Sequence, residues 1–174
     1  MKFILEGVDG SGKSTLAKHI QETFKFMNFE IVHSTRNTPN NLDYFGSLIY
    51  NNKNLIIDRM HLGQFVYQNE EERVAKNWLS SEDELRAIEY RIASRNHMEP
   101  IITIFVDTPI DVCLYNCHHN GEDGHYTIEY IKNLRDKYLS LINRLNLTGP
   151  SNWIVYKNNF VSPEVANKFD YTTL

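Results

Sequence analysis

Nine residues near the start of the chain decide the fold: Gly7-Val8-Asp9-Gly10-Ser11-Gly12-Lys13-Ser14-Thr15. Their G-x-x-x-x-G-K-S spacing is that of a phosphate-binding loop. The apolar run 2–6 before them predicts a buried strand, and apolar residues at helical spacing over 16–24 predict a helix after them. Glycines allow the positive φ angles that aim backbone N–H groups at phosphate oxygens, beside the positive end of the helix dipole. The stretch therefore predicts a binding site for a nucleoside triphosphate.

The side chains of this loop have distinct expected contacts with ATP and Mg²⁺. Lys13 would reach the β- and γ-phosphates, the Ser14 hydroxyl would ligate Mg²⁺, and Thr15 would contact the α-phosphate. Backbone N–H groups would hold the remaining phosphate oxygens. The residues expected to bind ATP are Gly7, Asp9, Gly10, Ser11, Gly12, Lys13, Ser14 and Thr15.

Length and composition indicate one globular domain over residues 1–174. A net charge of −4, with no run of Lys and Arg, disfavours nucleic acid as a partner. Cys113 and Cys117 are the two cysteines of the sequence, and two ligands do not make a zinc site, so we expect reduced thiols. No apolar run is long enough to span a membrane, and the first predicted strand leaves no room for a signal peptide. The expected location is the cytoplasm.

Apolar runs that suit strands alternate along the chain with segments of helical periodicity. This alternation predicts an α/β fold, in which a five-stranded parallel sheet carries helices on both faces and binds ligands beyond the carboxyl ends of its strands. The polar residues 116–126 predict a loop. The predicted strands are 2–6, 30–34, 54–58, 100–106 and 153–156. The predicted helices are 16–24, one ending near 50, one beginning near 62, 82–96, 109–117, one beginning at 127 and one beginning near 163. The helix from 127 carries an apolar stripe expected in the core, formed by Ile128, Ile131, Leu134, Tyr138, Leu141 and Leu145.

Polar residues follow or end three of the predicted strands. Ser34-Thr35-Arg36 follows the second, Asp58-Arg59 stands at the end of the third, and Asp107 follows the fourth. An acid in such a position beside a phosphate-binding loop holds the metal ion or its water shell, and an arginine forks onto phosphate oxygens. The expected catalytic residues are Lys13, Arg36, Asp58 and Arg59, and the expected metal ligands are Ser14 and Asp58.

Several segments together resemble the thymidylate kinases. Residues 4–15 look like the opening of that family, and Thr35-Arg36-Asn37-Thr38-Pro39 is similar to its arginine-bearing segment after the second strand. Asp58-Arg59-Met60-His61, followed by Phe65-Val66-Tyr67-Gln68, resembles its D-R-Y/H…A-Y-Q block, and residues 104–109 match its fourth strand. The compact chain and the block 58–63 look more like the small kinases of phages than the cellular ones.

The resemblance implies a P-loop NTPase fold, a lid over about 116–126, and phosphoryl transfer from Mg·ATP to a deoxynucleoside monophosphate. The usual acceptor is thymidylate, and a phage-type relative could use a 5-modified pyrimidine nucleotide. By the same resemblance Asp9 would meet the sugar 3′-hydroxyl of the acceptor, Arg36 and Arg59 would hold its phosphate, and Asp58 would serve the metal. The family commonly dimerises through helices, so the resemblance makes a homodimer an option, although no exposed apolar stripe in the sequence requires one. The residues implied near the acceptor sugar and base are Phe65, Tyr67 and Gln68.

Two departures from the family pattern bear on the chemistry. Asn37 stands where thymidylate kinases have a glutamate, and the region 117–125 has three histidines but none of the family's lid arginines. A transition state with charge spread over phosphoryl oxygens needs cationic help. Arg135, on the following predicted helix, is another candidate donor. An arginine from elsewhere, a slow enzyme and a different substrate all stay open as explanations.

Other functions are compatible with the same loop. A deoxynucleoside kinase would need a carboxylate base for the attacking 5′-hydroxyl, for which Asp43 or Glu6 are candidates. A nucleotide-binding regulatory module with little turnover is an alternative from another class, although the sequence contains no guanine-specifying N-K-x-D motif. A kinase acting on a base within DNA would need a basic track, which the composition does not show.

Overall fold

The computed structural model describes residues 1–35, 38–39, 41–68, 76, 81–119, 126–150 and 152–158. All five predicted strands are present in it and form one parallel sheet, which confirms the predicted α/β fold. The strands are β1 (Lys2–Glu6), β2 (Glu30–His33), β3 (Leu55–Asp58), β4 (Ile101–Asp107) and β5 (Trp153–Lys157). The described α-helices are α1 (Lys13–Thr23), α2 (Leu42–Ile49), α3 (His61–Tyr67), α4 (Glu82–Asn96), α5 (Ile110–His119) and α6 (Ile128–Thr148).

The strand order β2-β3-β1-β4-β5 places β1 at the centre of the sheet. Its neighbours are β3 on one side and β4 on the other, so successive connections leave the centre in opposite directions. The register sets Leu5 beside Asp58 and Asp58 beside His33, which brings the carboxyl ends of β1, β3 and β2 to the same edge. Ligands of open parallel sheets bind at this edge, where the strand order reverses.

The sheet is covered on both faces, because alternate residues of a strand point to opposite sides. Ile4 belongs to a large apolar cluster that includes residues of α2, α3, α4 and α6. Phe3 and Leu5 belong to a second cluster, which Ala17 and Ile20 of α1 complete. Burial of each large apolar side chain contributes about 1.5–3 kcal/mol. This alternation therefore holds β1, and the loop that follows it, between two layers of helix.

Three helices begin at side-chain caps that the sequence contains. The Asn41 side chain accepts a hydrogen bond from the backbone N–H of Tyr44 at 2.9 Å, at the start of α2. Ser81 and Glu84 form a reciprocal capping box at the start of α4. Thr127 caps α6. Each such cap contributes about 1 kcal/mol to helix stability.

The predicted loop start at Asn116 is wrong, because α5 continues through His119. The ring of His119 stacks on that of Tyr115 at 5.7 Å, and Cys117 is buried. Two histidines also suit the last turn, where the helix dipole favours positive charge. Residues 116–119 of the predicted lid are thus helical, and its residues 120–125 lie outside the described part of the chain.

The apolar stripe of α6 is confirmed except at its first member. Ile131, Leu134, Tyr138, Leu141 and Leu145 are buried, as predicted. Ile128 is 61 % exposed, because it stands in the first turn, before the helix reaches the core. The predicted last helix, from residue 163, lies outside the described residues.

Two expectations from composition can be compared with the structure. Cys113 and Cys117 are buried thiols, and burial raises the pKa of Cys113 to about 12. Among the described helices, none has the length and apolarity needed to cross a bilayer.

Glu99 holds the amino-terminal end of the central strand through a partly buried ion pair with Lys2. Lys2 is fully buried, and its Nζ donates to Glu99 Oε2 at 2.7 Å. Burial raises the pKa of the Glu99 carboxyl, but hydrogen bonds from Lys2 and from the N-terminal ammonium outweigh it and lower the pKa to about 2.

Glu99→Gln should lower the free energy of unfolding at pH 7 by about 3 kcal/mol, because it leaves the Lys2 ammonium buried without a counter-charge. A carboxyl with a lowered pKa stabilises the fold above its ordinary pKa of 4.5, and this contribution is lost as the pH falls toward 2. Urea unfolding measures this effect at pH 7 and at pH 3. The free energies of unfolding of variant and parent should differ less at pH 3 than at pH 7. Glu30→Gln is the control, since Glu30 pairs with Lys53 on the exposed surface. Equal losses in both variants would contradict the prediction.

Candidate active site

The loop between β1 and α1 turns sharply at its glycines. Gly10 and Gly12 have φ angles of 70° and 88°, in the left-handed region that residues with a Cβ rarely adopt. Gly12 is also the N-cap of α1. The first N–H groups of a helix have no partner within it and form a site for anions. The predicted phosphate-binding loop therefore has the backbone that its sequence requires.

Three side chains from distant segments hold this loop by its carbonyl groups. Thr108 Oγ1 donates to the Ser11 carbonyl at 2.7 Å, and Asn158 Nδ2 donates to the same oxygen at 3.1 Å. Asn116 Nδ2 donates to the Gly10 carbonyl at 2.8 Å. These hydrogen bonds fix the positions of the Gly10 and Ser11 peptide groups in the loop. Sequence reasoning missed all three contacts, because polar residues near strand and helix ends carry no motif of their own.

Lys13 folds back onto the loop that carries it. Its Nζ donates to the Gly7 carbonyl at 2.9 Å and to the Val8 carbonyl at 2.7 Å. Burial lowers the pKa of this ammonium, while the nearby carboxylates of Asp58 and Glu6 act in the opposite direction. Its Nζ also lies 3.4 Å from Ser11 Oγ, so the ammonium has only neutral acceptors here, and phosphate oxygens would be stronger partners for it.

Ser14, Asp58 and His33 meet at the edge of the sheet. Ser14 Oγ donates to Asp58 Oδ2 at 2.9 Å, and His33 Nδ1 lies 3.2 Å from the same oxygen. Asp58 Oδ1 is buried and has no hydrogen-bond partner among the described residues. An unpaired, buried carboxylate oxygen is costly unless a cation or a donor reaches it. Ser14 and Asp58 therefore fit the divalent metal that the phosphate-binding loop implies.

Arg59 and Met60 form the turn between β3 and α3, and Arg59 has an unusual backbone conformation. Its φ is 68°, a conformation that a non-glycine residue adopts at a cost of about 1–3 kcal/mol and that clusters at functional sites. The guanidinium forms an ion pair with Asp9 and lies over the Tyr67 ring, 5.1 Å from its centroid. The backbone N–H of Asp9 donates in turn to Tyr67 Oη at 2.9 Å. The turn and the loop are therefore joined through these three residues.

Three adjoining cavities surround this constellation. The phosphate cavity, of about 550 Å³, is lined by residues 9–15, 33–35, Asp58, Arg59 and Asn116. The tyrosine cavity, of about 420 Å³, is lined by Asp9, Ser34, Thr35, Arg59, Gly63, Gln64, Tyr67, Gln68, Tyr126 and Tyr130. The apolar cavity, of about 450 Å³, is lined by Gly12, Thr15, Leu16, His19, Val106, Val112, Asn116, Tyr156 and Asn158.

The tyrosine cavity contains two of the three residues expected near the acceptor. Tyr67 and Gln68 line it, whereas the partly buried Phe65 packs against the core cluster and is not among its lining residues. The cavity also contains Gln64, which donates to the Thr35 carbonyl at 3.2 Å and accepts from Gln68 Nε2 at 2.7 Å. Gln64 lies one helical turn before Gln68 in the chain, and that spacing is the signal that could have identified it. Arg36 lies outside the described residues.

Glu6 is a structural residue in this arrangement. Its Oε1 accepts from the backbone N–H groups of Met60 and Gly63, at 2.9 and 3.0 Å, at the start of α3. Tyr138 Oη donates to Oε2 at 3.1 Å, and burial raises the pKa of this phenol. Glu6 is fully buried, and the exposed Asp43 lines none of the three cavities. Neither carboxylate considered as a base is therefore placed to receive a proton from a substrate.

Asp107 is occupied by cations from the chain itself. Arg135 donates to both of its carboxylate oxygens, at 2.6 and 3.0 Å, and Lys157 forms a second ion pair with it. Burial raises the pKa of Asp107, but the hydrogen bonds from Arg135 and Lys157 prevail and lower it. Arg135, the candidate substitute for the lid arginines, is thus committed to Asp107 rather than directed at the phosphate cavity.

Comparisons with family models and with curated protein sequences give no match. Solved structures do match. Deoxyadenosine kinase from M. mycoides, with bound dCTP, is 17 % identical with a TM-score of 0.56, and the match covers 97 % of this chain and 96 % of that one. Polyphosphate kinase 2 from Arthrobacter aurescens TC1 is 15 % identical with a TM-score of 0.60, over 88 % of this chain and 59 % of that one. At such identities the likeness bears on the fold alone. The chain therefore has the fold of the P-loop kinases.

Proposed function

We propose that this protein is an ATP-dependent kinase that phosphorylates a deoxynucleoside monophosphate to the diphosphate. The acceptor is thymidylate or a related pyrimidine nucleotide, 5-modified forms included, as the resemblance to thymidylate kinases implies. The observation that carries the proposal is the continuity of the three cavities. The phosphate cavity shares Thr15 and Asn116 with the apolar cavity, and it shares Asp9 and Arg59 with the tyrosine cavity.

The apolar cavity suits the base of the donor nucleotide. It lies beside the first turn of α1, and Leu16, Val106 and Val112 give it apolar walls. Ligand pockets of this type bind flat, apolar groups with a few polar contacts for orientation. Asn116 and Asn158 supply amide groups at its edge. An adenine there would leave its triphosphate to run along the loop into the phosphate cavity.

The phosphate cavity suits the transferring group. Lys13 would exchange its two carbonyl partners for the β- and γ-phosphates, and the N–H groups of the loop would hold the other oxygens. Ser14 and Asp58 would hold Mg²⁺, which when bound offsets the charge that develops on the phosphoryl oxygens. These side chains are carried by α1 and by the end of β3, so the rigid part of the fold positions them.

The tyrosine cavity suits the acceptor, and Arg59 stands where its phosphate would enter the phosphate cavity. An acceptor phosphate would compete with Asp9 for the guanidinium and leave Asp9 for the sugar hydroxyl. Tyr67 and Tyr126 offer aromatic faces, and Gln64 and Gln68 offer amides for the base. A monophosphate acceptor needs this cation and needs no general base. The Glu6 carboxylate, which accepts hydrogen bonds from Met60 and Gly63, is not needed as a base in such a reaction.

A deoxynucleoside kinase is the second candidate. The likeness in fold to a deoxyadenosine kinase over almost the whole chain favours it. Arg59 would in that case serve the phosphoryl group of the donor instead of an acceptor phosphate. The two functions differ in their products, so they are separable by experiment.

A panel of deoxynucleosides and deoxynucleoside monophosphates, incubated with γ-labelled Mg·ATP and separated by chromatography, tests the proposal. We expect labelled diphosphates from pyrimidine monophosphates and no labelled product from nucleosides. Arg59→Ala should reduce diphosphate formation about 10²-fold, because one cation is removed from the acceptor phosphate. Arg144→Ala, which changes a surface ion pair with Glu82, is the matched control.

Each alternative gives a different result in this panel. Labelled monophosphates formed from nucleosides, without diphosphates, would replace the proposal by the deoxynucleoside kinase. ATP binding with little ATP consumption, which no deoxynucleotide stimulates, would favour the regulatory module. Full activity of Arg59→Ala on every monophosphate would show that the acceptor site is assigned wrongly.

A further inference from the structure

His33 is the one histidine that lines the phosphate cavity in the described part of the chain. It ends β2, and the parallel register pairs it with Asp58 on β3. Its Nδ1 lies 3.2 Å from Asp58 Oδ2, the oxygen to which Ser14 Oγ also donates. The imidazole is 57 % exposed, so its ring is accessible from the cavity. Nothing in the phosphate-binding motif requires a histidine at this place.

We infer that His33 is a third protein ligand of the divalent cation at this site, so that the site has one imidazole nitrogen beside the oxygens of Ser14 and Asp58. This inference concerns the metal itself and goes beyond the proposed transfer reaction. Magnesium is bound in proteins almost entirely by oxygen, whereas imidazole favours first-row transition ions. The site should therefore prefer an ion such as Co²⁺ to Mg²⁺ more strongly than an all-oxygen site would.

The spacing of the three atoms supports this arrangement. Two neighbouring ligands of an octahedral ion at about 2.1 Å lie about 3.0 Å apart. Asp58 Oδ2 is 2.9 Å from Ser14 Oγ and 3.2 Å from His33 Nδ1, so both pairs match such an edge.

Asp58 gives a second and independent reason to expect a cation. The residue is 2 % exposed, and its Oδ1 has no hydrogen-bond partner among the described residues. A carboxylate in this state is stabilised by any cation that reaches it. The nearby Lys13 ammonium donates to the carbonyls of Gly7 and Val8 rather than to Asp58.

Pulsed EPR of bound Mn²⁺, without nucleotide, tests the inference. The parent protein should show ¹⁴N modulation from an imidazole, and His33→Asn should retain a bound ion but lose that modulation. Asp58→Asn should lose the bound ion, which assigns the signal to this site. His97→Asn, which changes an exposed histidine at the end of α4, is the matched control and should keep the modulation.

A second readout is the displacement of bound Mn²⁺ by Co²⁺ and, separately, by Mg²⁺, which gives the relative affinity of the site for the two ions. The preference for Co²⁺ over Mg²⁺ should fall about tenfold in His33→Asn and stay unchanged in His97→Asn. Bound Mn²⁺ without ¹⁴N modulation in the parent, or modulation that persists in His33→Asn, would overturn the inference. The EPR experiment contains no substrate, so such a result would not bear on the proposed transfer reaction. That reaction is tested separately by the panel of nucleosides and monophosphates.

Discussion

Lys13→Ala should reduce phosphoryl transfer about 10³-fold, with little change in the apparent affinity for the acceptor. The reason is that the ammonium is the group of the loop that can place a full positive charge on the β- and γ-phosphates as charge develops there. In the described structure the Lys13 ammonium donates to the carbonyls of Gly7 and Val8, and Lys13 lines the phosphate cavity. Steady-state rates with the best acceptor from the panel measure the effect.

Lys18→Ala is the matched control for this prediction, because Lys18 lies on the exposed face of the same helix. It should keep the rate of the parent protein. Thermal unfolding of both variants separates a lost charge from a lost fold, and Lys13→Met preserves the length of the side chain without its charge. If Lys13→Ala and Lys13→Met kept more than a tenth of the parent rate, the loop would not serve phosphoryl transfer.

Gly10→Ala should weaken the affinity for ATP at least about 10²-fold and should also destabilise the fold. A Cβ at this position would lie 2.1 Å from the carbonyl oxygen of Cys113, and the φ of 70° would be strained in any case. The Cys113 backbone has little freedom to retreat, since its N–H donates to the Pro109 carbonyl at 3.0 Å in the first turn of α5. The loop must therefore move, and its N–H groups move with it.

Equilibrium binding of a fluorescent ATP analogue and urea unfolding measure the two effects of Gly10→Ala. The strained φ alone should cost about 1–3 kcal/mol of unfolding free energy. Gly46→Ala is the control, because its Cβ would meet only the flexible end of Arg91, 2.9 Å away, and alanine favours the α2 helix. Unchanged ATP binding in Gly10→Ala would refute the close packing of the loop against α5.

The parts of the fold that were predictable are those whose signals are local. The strand at 54–58 was predicted because three consecutive aliphatic residues suit a strand buried on both faces. The start of α4 was predicted from Ser81 and the acids that follow it. The end of α5 was predicted wrongly, because polar residues such as His118 indicate a loop in sequence although a helix also accommodates them.

The candidate site shows the same division. The loop and Asp58 carry motifs, so their placement at the sheet edge could be predicted. The engagement of Arg135 by Asp107 could not, since the two residues are 28 positions apart and meet only through the packing of α6 on the sheet edge. Phe65 and Tyr67 are two residues apart on one helix, yet only Tyr67 lines the tyrosine cavity. Side-chain direction on a short helix depends on how that helix docks.

The sequence by itself determined that a glycine-rich loop joins a buried strand to a helix, because glycine φ angles, aliphatic runs and helical periodicity act within a few residues. Only the tertiary structure decided that His33 lies beside Asp58, that Arg59 lies between two cavities and that Glu6 is a buried helix cap. Those relations depend on strand order and register, which are set by the burial of many apolar side chains at once. The local motif therefore predicts a bound phosphate, and the packed sheet determines which groups surround it.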